Sequence, residues 1–240
     1  AATITEEERR EIIKFCVKEV NGRIPLIVGS GSNCTATAVK FSREAEESGA
    51  DGLLVVTPYY NKCNDDGLYA HYSTVAKSTS LPIIVYNVPT RTGFNVKPIV
   101  YRKLAEIDNV VAIKEANCCD EQLNGVLDNV KDILAVYCGS DYKFIDVLRR
   151  GGKGTISVAS NIIPSKIVDY ISGFENYCEI GFYNEIVNVL QSDVNPIPLK
   201  YMVKLLFNEG YGLRLPLTEA KNEVKETILK IYQKMAGKLK

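Results

Sequence analysis

VVAIKEANCCD, residues 110–120, runs four apolar residues directly into a lysine. An apolar run of this length, bounded by polar turn-formers, reads as a strand covered on both faces. An ammonium at its end is costly to bury unless it is paired or gives up its proton. Val110 to Ile113 would lower the pKa of Lys114, and the free amine would attack carbonyls. Pairing with Glu115 or Asp141 is the plainer reading of the same residues.

Five further runs resemble this one: IPLIVGSG (24–31), GLLVVTP (52–58), LPIIVYNVP (81–89), ILAVYCGSD (133–141) and GKGTISV (152–158). Between them lie segments with helical spacing. TEEERREIIKFCVKEV opens with Thr5 and Glu8, a capping box. TATAVKFSREAEESGA, DDGLYAHYSTVAKST, KPIVYRKLAEI and DYKFIDVLRRGG follow. Alternating strands and helices predict a parallel sheet, either barrel or doubly wound. Thr57-Pro58-Tyr59-Tyr60, Tyr86-Asn87, Lys114-Glu115, Ser140-Asp141 and Ser157 all fall at C-terminal strand ends. Polar groups spread over so many strand ends favour the TIM barrel, whose sites lie on that face. A doubly wound sheet gathers its ligand groups at one switch point instead. GSGSN (29–33) is too short for a dinucleotide fingerprint, and no phosphate loop is present. After residue 160 the strand signals stop, and helical stretches are expected at 164–190, 197–208 and 217–237. The expected fold is α/β, with residues 1–160 forming an incomplete (β/α) barrel. Residues 161–240 form a C-terminal helical region packed on it as one structural unit.

The bulk numbers exclude several classes. With 29 Lys+Arg against 29 Asp+Glu the formal charge is zero, which offers nothing to nucleic acid. The lysines between Lys230 and Lys240 read as a solvated helix end. No apolar run reaches membrane-spanning length, and AATITEEERR lacks a signal peptide's apolar region. Cys16, Cys34, Cys63, Cys118, Cys119, Cys138 and Cys178 are odd in number and scattered, as in the reduced thiols of a cytoplasmic protein. One histidine, His71, rules out a multi-histidine metal site and reads as a surface or packing residue. Asp65-Asp66 reads as a helix N-cap rather than a carboxylate dyad.

VTPYYNK (56–62), GLYAHY (67–72), IVYNVPTRTG (84–93), VAIKEA (111–116), GSD (139–141), GGKGTISVASN (151–161), NPIPLK (195–200) and LRLPL (213–217) occur in that order. Together they resemble the dihydrodipicolinate synthase and N-acetylneuraminate lyase family, over essentially the whole chain. The arginine of YNVPTRTG favours the synthase branch. The resemblance implies a pyruvate-dependent class I aldolase or lyase in lysine biosynthesis, with an aldehyde as second substrate and no cofactor or metal. It implies that Lys114 forms the Schiff base and that Tyr86 relays protons. By the same resemblance Tyr60 reaches a neighbouring subunit's site, and Arg91 binds a carboxylate. Gly139 and Ile156 would line the pocket through their backbones. Read without the resemblance, Tyr86 is an amphipathic strand-end tyrosine, Arg91 a solvated loop arginine and Tyr60 an interface residue.

The family pattern also departs from this chain. It has eight strands where six are legible here, and it carries a GTTGE-type loop just ahead of the position where AATITEEE begins. A shorter gap is expected before Asn195. On these grounds weakened or altered synthase activity is expected, with a catalytically inactive scaffold or ligand-binding protein as the alternative. IPLIVGSG and GKGTISV would be bare apolar edges. A homo-oligomer with elements exchanged between protomers is the expected remedy.

Overall fold

The structure is a computed structural model and describes residues 2–176, 181–208 and 212–238. The described residues fall into two compact units, Ala1–Ser140 with Asp146–Ile156, and Asp141–Ile145 with Ser157–Lys240. The expected Cys178 and part of the expected helix 164–190 lie outside the described residues.

The first unit holds one parallel sheet of six strands: β1 (Ile27–Gly29), β2 (Gly52–Val56), β3 (Ile83–Asn87), β4 (Val110–Glu115), β5 (Ala135–Cys138) and β6 (Gly154–Thr155). Their spatial order is their chain order, β1 to β6, with every neighbouring pair parallel. A doubly wound sheet reverses its order at a switch point. This one never does, and it is a six-stranded half-barrel of the TIM type. The helices that return the chain are α1 (Glu6–Val20), α2 (Thr35–Glu47), α3 (Asp65–Ala76), the single turn α4 (Pro89–Thr92), α5 (Pro98–Leu104), α6 (Asp120–Val130) and α7 (Phe144–Arg149).

Alternation along the strands sorts their side chains. Leu53 and Val55 of β2, Ile83 and Val85 of β3, and Val110 and Ile113 of β4 are buried in one core with Leu68, Tyr72 and Val75 of α3 and Tyr101 and Leu104 of α5. Leu54, Val56, Ile84, Tyr86 and Lys114 point to the other face and are half-buried. The apolar runs look continuous in sequence because one face carries the core and the other a more open apolar lining.

Helix ends follow their sequence signals. Thr5 caps α1 and closes the capping box with Glu8. From the next turn Arg9 donates to the carbonyl of Gly29 at the end of β1 and lies over the ring of Phe41. Asn64, not the Asp65-Asp66 pair, caps α3 by accepting from Gly67 N–H at 2.8 Å. The two aspartates occupy the first turn, where carboxylates favour the positive end of the helix, and they pair with Lys97 and Lys103.

The second unit holds α8 (Pro164–Ser172), α9 (Gly181–Leu190), α10 (Ile197–Phe207) and α11 (Asn222–Lys238). The expected stretch 164–190 divides because Gly173 ends α8. The expected stretch 217–237 becomes helical only from Asn222. Asp141 organises this unit by accepting from Val158 N–H, Ala159 N–H and the Tyr183 hydroxyl at 3.0–3.2 Å. Tyr183 in turn meets Phe144 and Tyr170 edge-on. Among the described residues no helix is long and apolar enough to cross a membrane.

His71 lies on the buried face of α3 and is 4 % exposed. Its Nδ1 meets Thr35 Oγ1 at 2.9 Å, while its buried Nε2 has no partner. Burial pushes its pKa below the ordinary 6.5. The unfolded chain therefore takes up the proton first, and stability present above that pH is lost as the pH falls. Thermal unfolding followed from about pH 7 to about pH 5 should fall less steeply for His71→Gln than for the wild type. Parallel curves would place the acid sensitivity elsewhere.

Candidate active site

β3 and β4 pair with Tyr86 opposite Lys114 and Asn87 opposite Glu115. Successive side chains on a strand point to opposite faces. Tyr86 and Lys114 therefore share one face, and Asn87 and Glu115 share the other. On the first face Lys114 Nζ lies over the Tyr86 ring, 4.2 Å from its centroid. An ammonium there is stabilised by the ring's quadrupole, and an amine there sits beside a phenol able to donate or accept a proton. Burial raises the Tyr86 phenol above its ordinary pKa, and the positive charge of Arg91 acts in the opposite sense.

Arg91 comes from α4. Pro89 at the first helical position fixes the backbone entry, and Gly93 ends the turn at φ 67, a conformation that suits glycine. This one turn sets an exposed guanidinium near the mouth of the strand pair. Its planar fork suits a carboxylate.

The other face settles one half of the Lys114 question. Glu115 is 1 % exposed. Its carboxylate accepts from Asn87, Tyr101, Asn117 and Gln122 at 2.7–3.1 Å. Strand alternation thus directs Glu115 away from Lys114, and the ion pair between these two residues is not formed. Asp141, the other candidate, belongs to the second compact unit and is engaged there by two backbone amides and Tyr183.

Gly139 and Ile156 extend the ladder past the strand ends. Gly139 N–H donates to Glu115 C=O at 2.6 Å, and Ile156 N–H to Cys138 C=O at 2.9 Å. Both sit where the resemblance expects pocket-wall backbone. Tyr60 is not gathered with Lys114 and Tyr86. Its ring is 90 % exposed, and its backbone has φ 69. Tyr60 N–H reaches Thr92 C=O at 3.4 Å, Asn61 N–H reaches Tyr59 C=O at 2.9 Å, and the Asn61 amide reaches Asn33 C=O at 2.9 Å.

The sequence reading missed the polar cluster around Glu115. Its signal was present: Asn87 and Glu115 each follow a residue of the opposite face, and a polar side chain on the core side of a strand needs partners. The helix α6, which supplies Gln122, was also overlooked, although CDEQLNGVLDNV has acidic residues in its first turn and a helical apolar period. Among the described residues no cluster of three His, Cys, Asp or Glu is placed to hold a metal. None of the six described cysteines is joined in a disulfide.

This geometry belongs to a known class. Residues 1–235 match the dihydrodipicolinate synthetase family, and the chain belongs to that family. Among its relatives, the 4-hydroxy-tetrahydrodipicolinate synthase of Alkaliphilus oremlandii is 45 % identical over 224 residues, covering 91 % of this chain and 77 % of that protein. A dihydrodipicolinate synthase structure from Thermotoga maritima superposes with a TM-score of 0.93 at 38 % identity, covering 98 % of this chain and 83 % of the other. The chloride-inhibited dihydrodipicolinate synthase of Acinetobacter baumannii, in complex with pyruvate, gives 0.92 at 34 % identity, covering 98 % and 83 %.

A side chain at Gly139 would press on the strand that carries Lys114. A Cβ there would lie 2.7 Å from Ala116 Cβ, 3.0 Å from Ala116 Cα and 3.1 Å from Glu115 O. Gly139→Ala should destabilise by about 1–3 kcal/mol in urea unfolding, the usual range for overpacking. A variant as stable as the wild type would show that the strand ends yield at little cost.

Proposed function

We propose that this protein is a pyruvate-dependent class I aldolase or lyase of the dihydrodipicolinate synthase type, acting through a Schiff base on Lys114. The observation that carries the reading is the pairing of Lys114 with Tyr86 on adjacent strand ends, the face where TIM-barrel enzymes do their chemistry. Family membership and the pyruvate complex of the Acinetobacter relative support it.

In this reading the Lys114 lone pair attacks the keto carbon of pyruvate and a C–N bond forms. The carbonyl oxygen takes up protons and leaves as water, giving a cationic imine. Loss of a methyl proton then yields an enamine, whose carbon attacks the aldehyde. Tyr86 is positioned to hand protons to the departing oxygen and to take them back. Arg91 binds the carboxylate of the incoming aldehyde. Gly139 and Ile156 contribute backbone to the pocket wall. No cofactor or metal takes part.

Self-association belongs to the same reading, as a homo-oligomer in which elements are exchanged between protomers. The exposed ring of Tyr60 and the exposed Ile24 and Ile27 at the β1 edge support it.

Borohydride reduction in the presence of pyruvate should add one pyruvate-derived mass to the intact protein, and Lys114→Ala should abolish it. Tyr86→Phe should slow trapping by about 10²–10⁴-fold, the usual worth of a positioned acid–base group. A wild type that gains no mass with pyruvate would end the Schiff-base reading. Light scattering at low concentration should give a mass above that of one chain, and a monodisperse monomer would end the oligomer reading.

A further inference from the structure

The pair on the helix side of the same strands has no part in the chemistry described above. It is nevertheless held in a dense set of hydrogen bonds. Glu115 Oε1 accepts from Asn117 N–H at 2.7 Å and Asn87 Nδ2 at 2.9 Å. Oε2 accepts from the Tyr101 hydroxyl, Gln122 Nε2 and Asn87 Nδ2, each at 3.1 Å. Every partner is a donor, and none carries a positive charge.

The amides are held in this sense by other bonds. Asn87 Oδ1 accepts from Val96 N–H at 3.3 Å, and its Nδ2 also donates to Asn95 Oδ1 at 2.8 Å. Gln122 Nε2 donates to Val96 C=O at 2.9 Å, while its Oε1 accepts from Asn95 Nδ2 at 3.0 Å. Turning either amide to offer its oxygen would break a bond to Val96. A backbone N–H cannot turn at all. An acidic or amide hydrogen at position 115 would face a fixed donor everywhere but at the Tyr101 hydroxyl, which would have to give up its own bond to Glu115 to accept it, so the site as built suits an ionised carboxylate. Burial is the larger influence and leaves the carboxyl above its ordinary pKa, while the bonds from Asn117, Gln122, Asn87 and Tyr101 oppose that rise.

We propose that Glu115 is a positioning residue, a buried anion without a cationic partner whose field holds up the basicity of Lys114 and favours the cationic imine formed there. This rests on the reading of Lys114 as the imine-forming amine. The charge is one residue from Lys114, across the thickness of β4, in a medium where charges interact far more strongly than in water. Other titratable groups around it leave that field in place. From α5 the Tyr101 hydroxyl is held protonated by burial and by Glu115 itself, with the buried Tyr72 near it, while Arg102 and Lys103 are turned to solvent. From α6 the facing group is the neutral Gln122, and Asp120 and Glu121 are exposed. From β3 it is the neutral Asn87, with Tyr86 on the opposite face.

The test is the pH dependence of pyruvate trapping by borohydride in the wild type, Glu115→Gln and Glu115→Asp. Loss of the anion lowers the pKa of the amine. Glu115→Gln should shift the midpoint for trapping to lower pH by about one unit and weaken apparent pyruvate binding about tenfold. Glu115→Asp, which keeps the charge but lengthens the bonds, should lose rate while holding the wild-type midpoint. Equal midpoints in all three proteins, or a shift shared by Asp and Gln, would overturn the proposal and leave the Lys114 reading standing. Absence of any wild-type adduct would instead remove the Lys114 reading and this inference with it. If Glu115→Gln does not fold, the Glu115 carboxyl carbon of the labelled wild type gives the answer by NMR. It should report an ionised group from about pH 6 to about pH 9, and a protonated one in that range would overturn the proposal.

Discussion

Everything at the candidate site depends on the register between β3 and β4. A parallel pair places residues opposite one another in fixed couples, and here two successive couples form the centre of the candidate site. Tyr86 meets Lys114 on the open face, and Asn87 meets Glu115 on the helix side. A slip of one residue would send the lysine into the apolar core and the glutamate into the open. The hydrogen bonds between Asn87 and Glu115 oppose such a slip more firmly than the apolar contacts of Val85 and Ile113, because bonds are directional and apolar contacts are not.

The same register explains why two demands that usually compete are met in one strand. A site must stay accessible, and a core must exclude water. Strand alternation assigns the two tasks to different faces. Leu53, Val55, Ile83 and Val85 serve the core, while their neighbours Leu54, Val56, Ile84 and Tyr86 stay half-open. The short helix α4 then adds a cation at the end of β3 without disturbing the ladder, because Pro89 and Gly93 confine the turn to four residues.

Much of this was legible before any coordinates. All six strands lie within the apolar runs, and polar residues at their C-terminal ends pointed to a barrel-type sheet. YNVPTRTG and the IKEA lysine pointed to Tyr86 and Lys114, which the ladder sets opposite one another, and the capping box at Thr5 marked the start of α1. Two kinds of feature were not legible. Helix caps turn on one residue, so the aspartates after Asn64 drew attention from the true cap. Networks between elements far apart in sequence leave no local trace. Glu115, Tyr101 and Gln122 lie on a strand and two helices and become neighbours only when those elements pack. The sequence left Lys114 open between nucleophile and ion pair. Alternation decided against Glu115 as its partner, a step that needs only the certainty that 110–115 is a strand.

Tyr60 carries a different consequence. A bulky residue in the left-handed region costs about 1–2 kcal/mol relative to its relaxed backbone, yet Tyr60 sits at φ 69 with its ring almost fully in solvent. Thr92, Asn33 and the Tyr59 carbonyl hold the turn around it. Backbone freedom there is surrendered when the chain folds rather than at an encounter. A side chain presented on so constrained a hinge meets another surface with its direction already chosen, and ordering it takes little from the free energy of association.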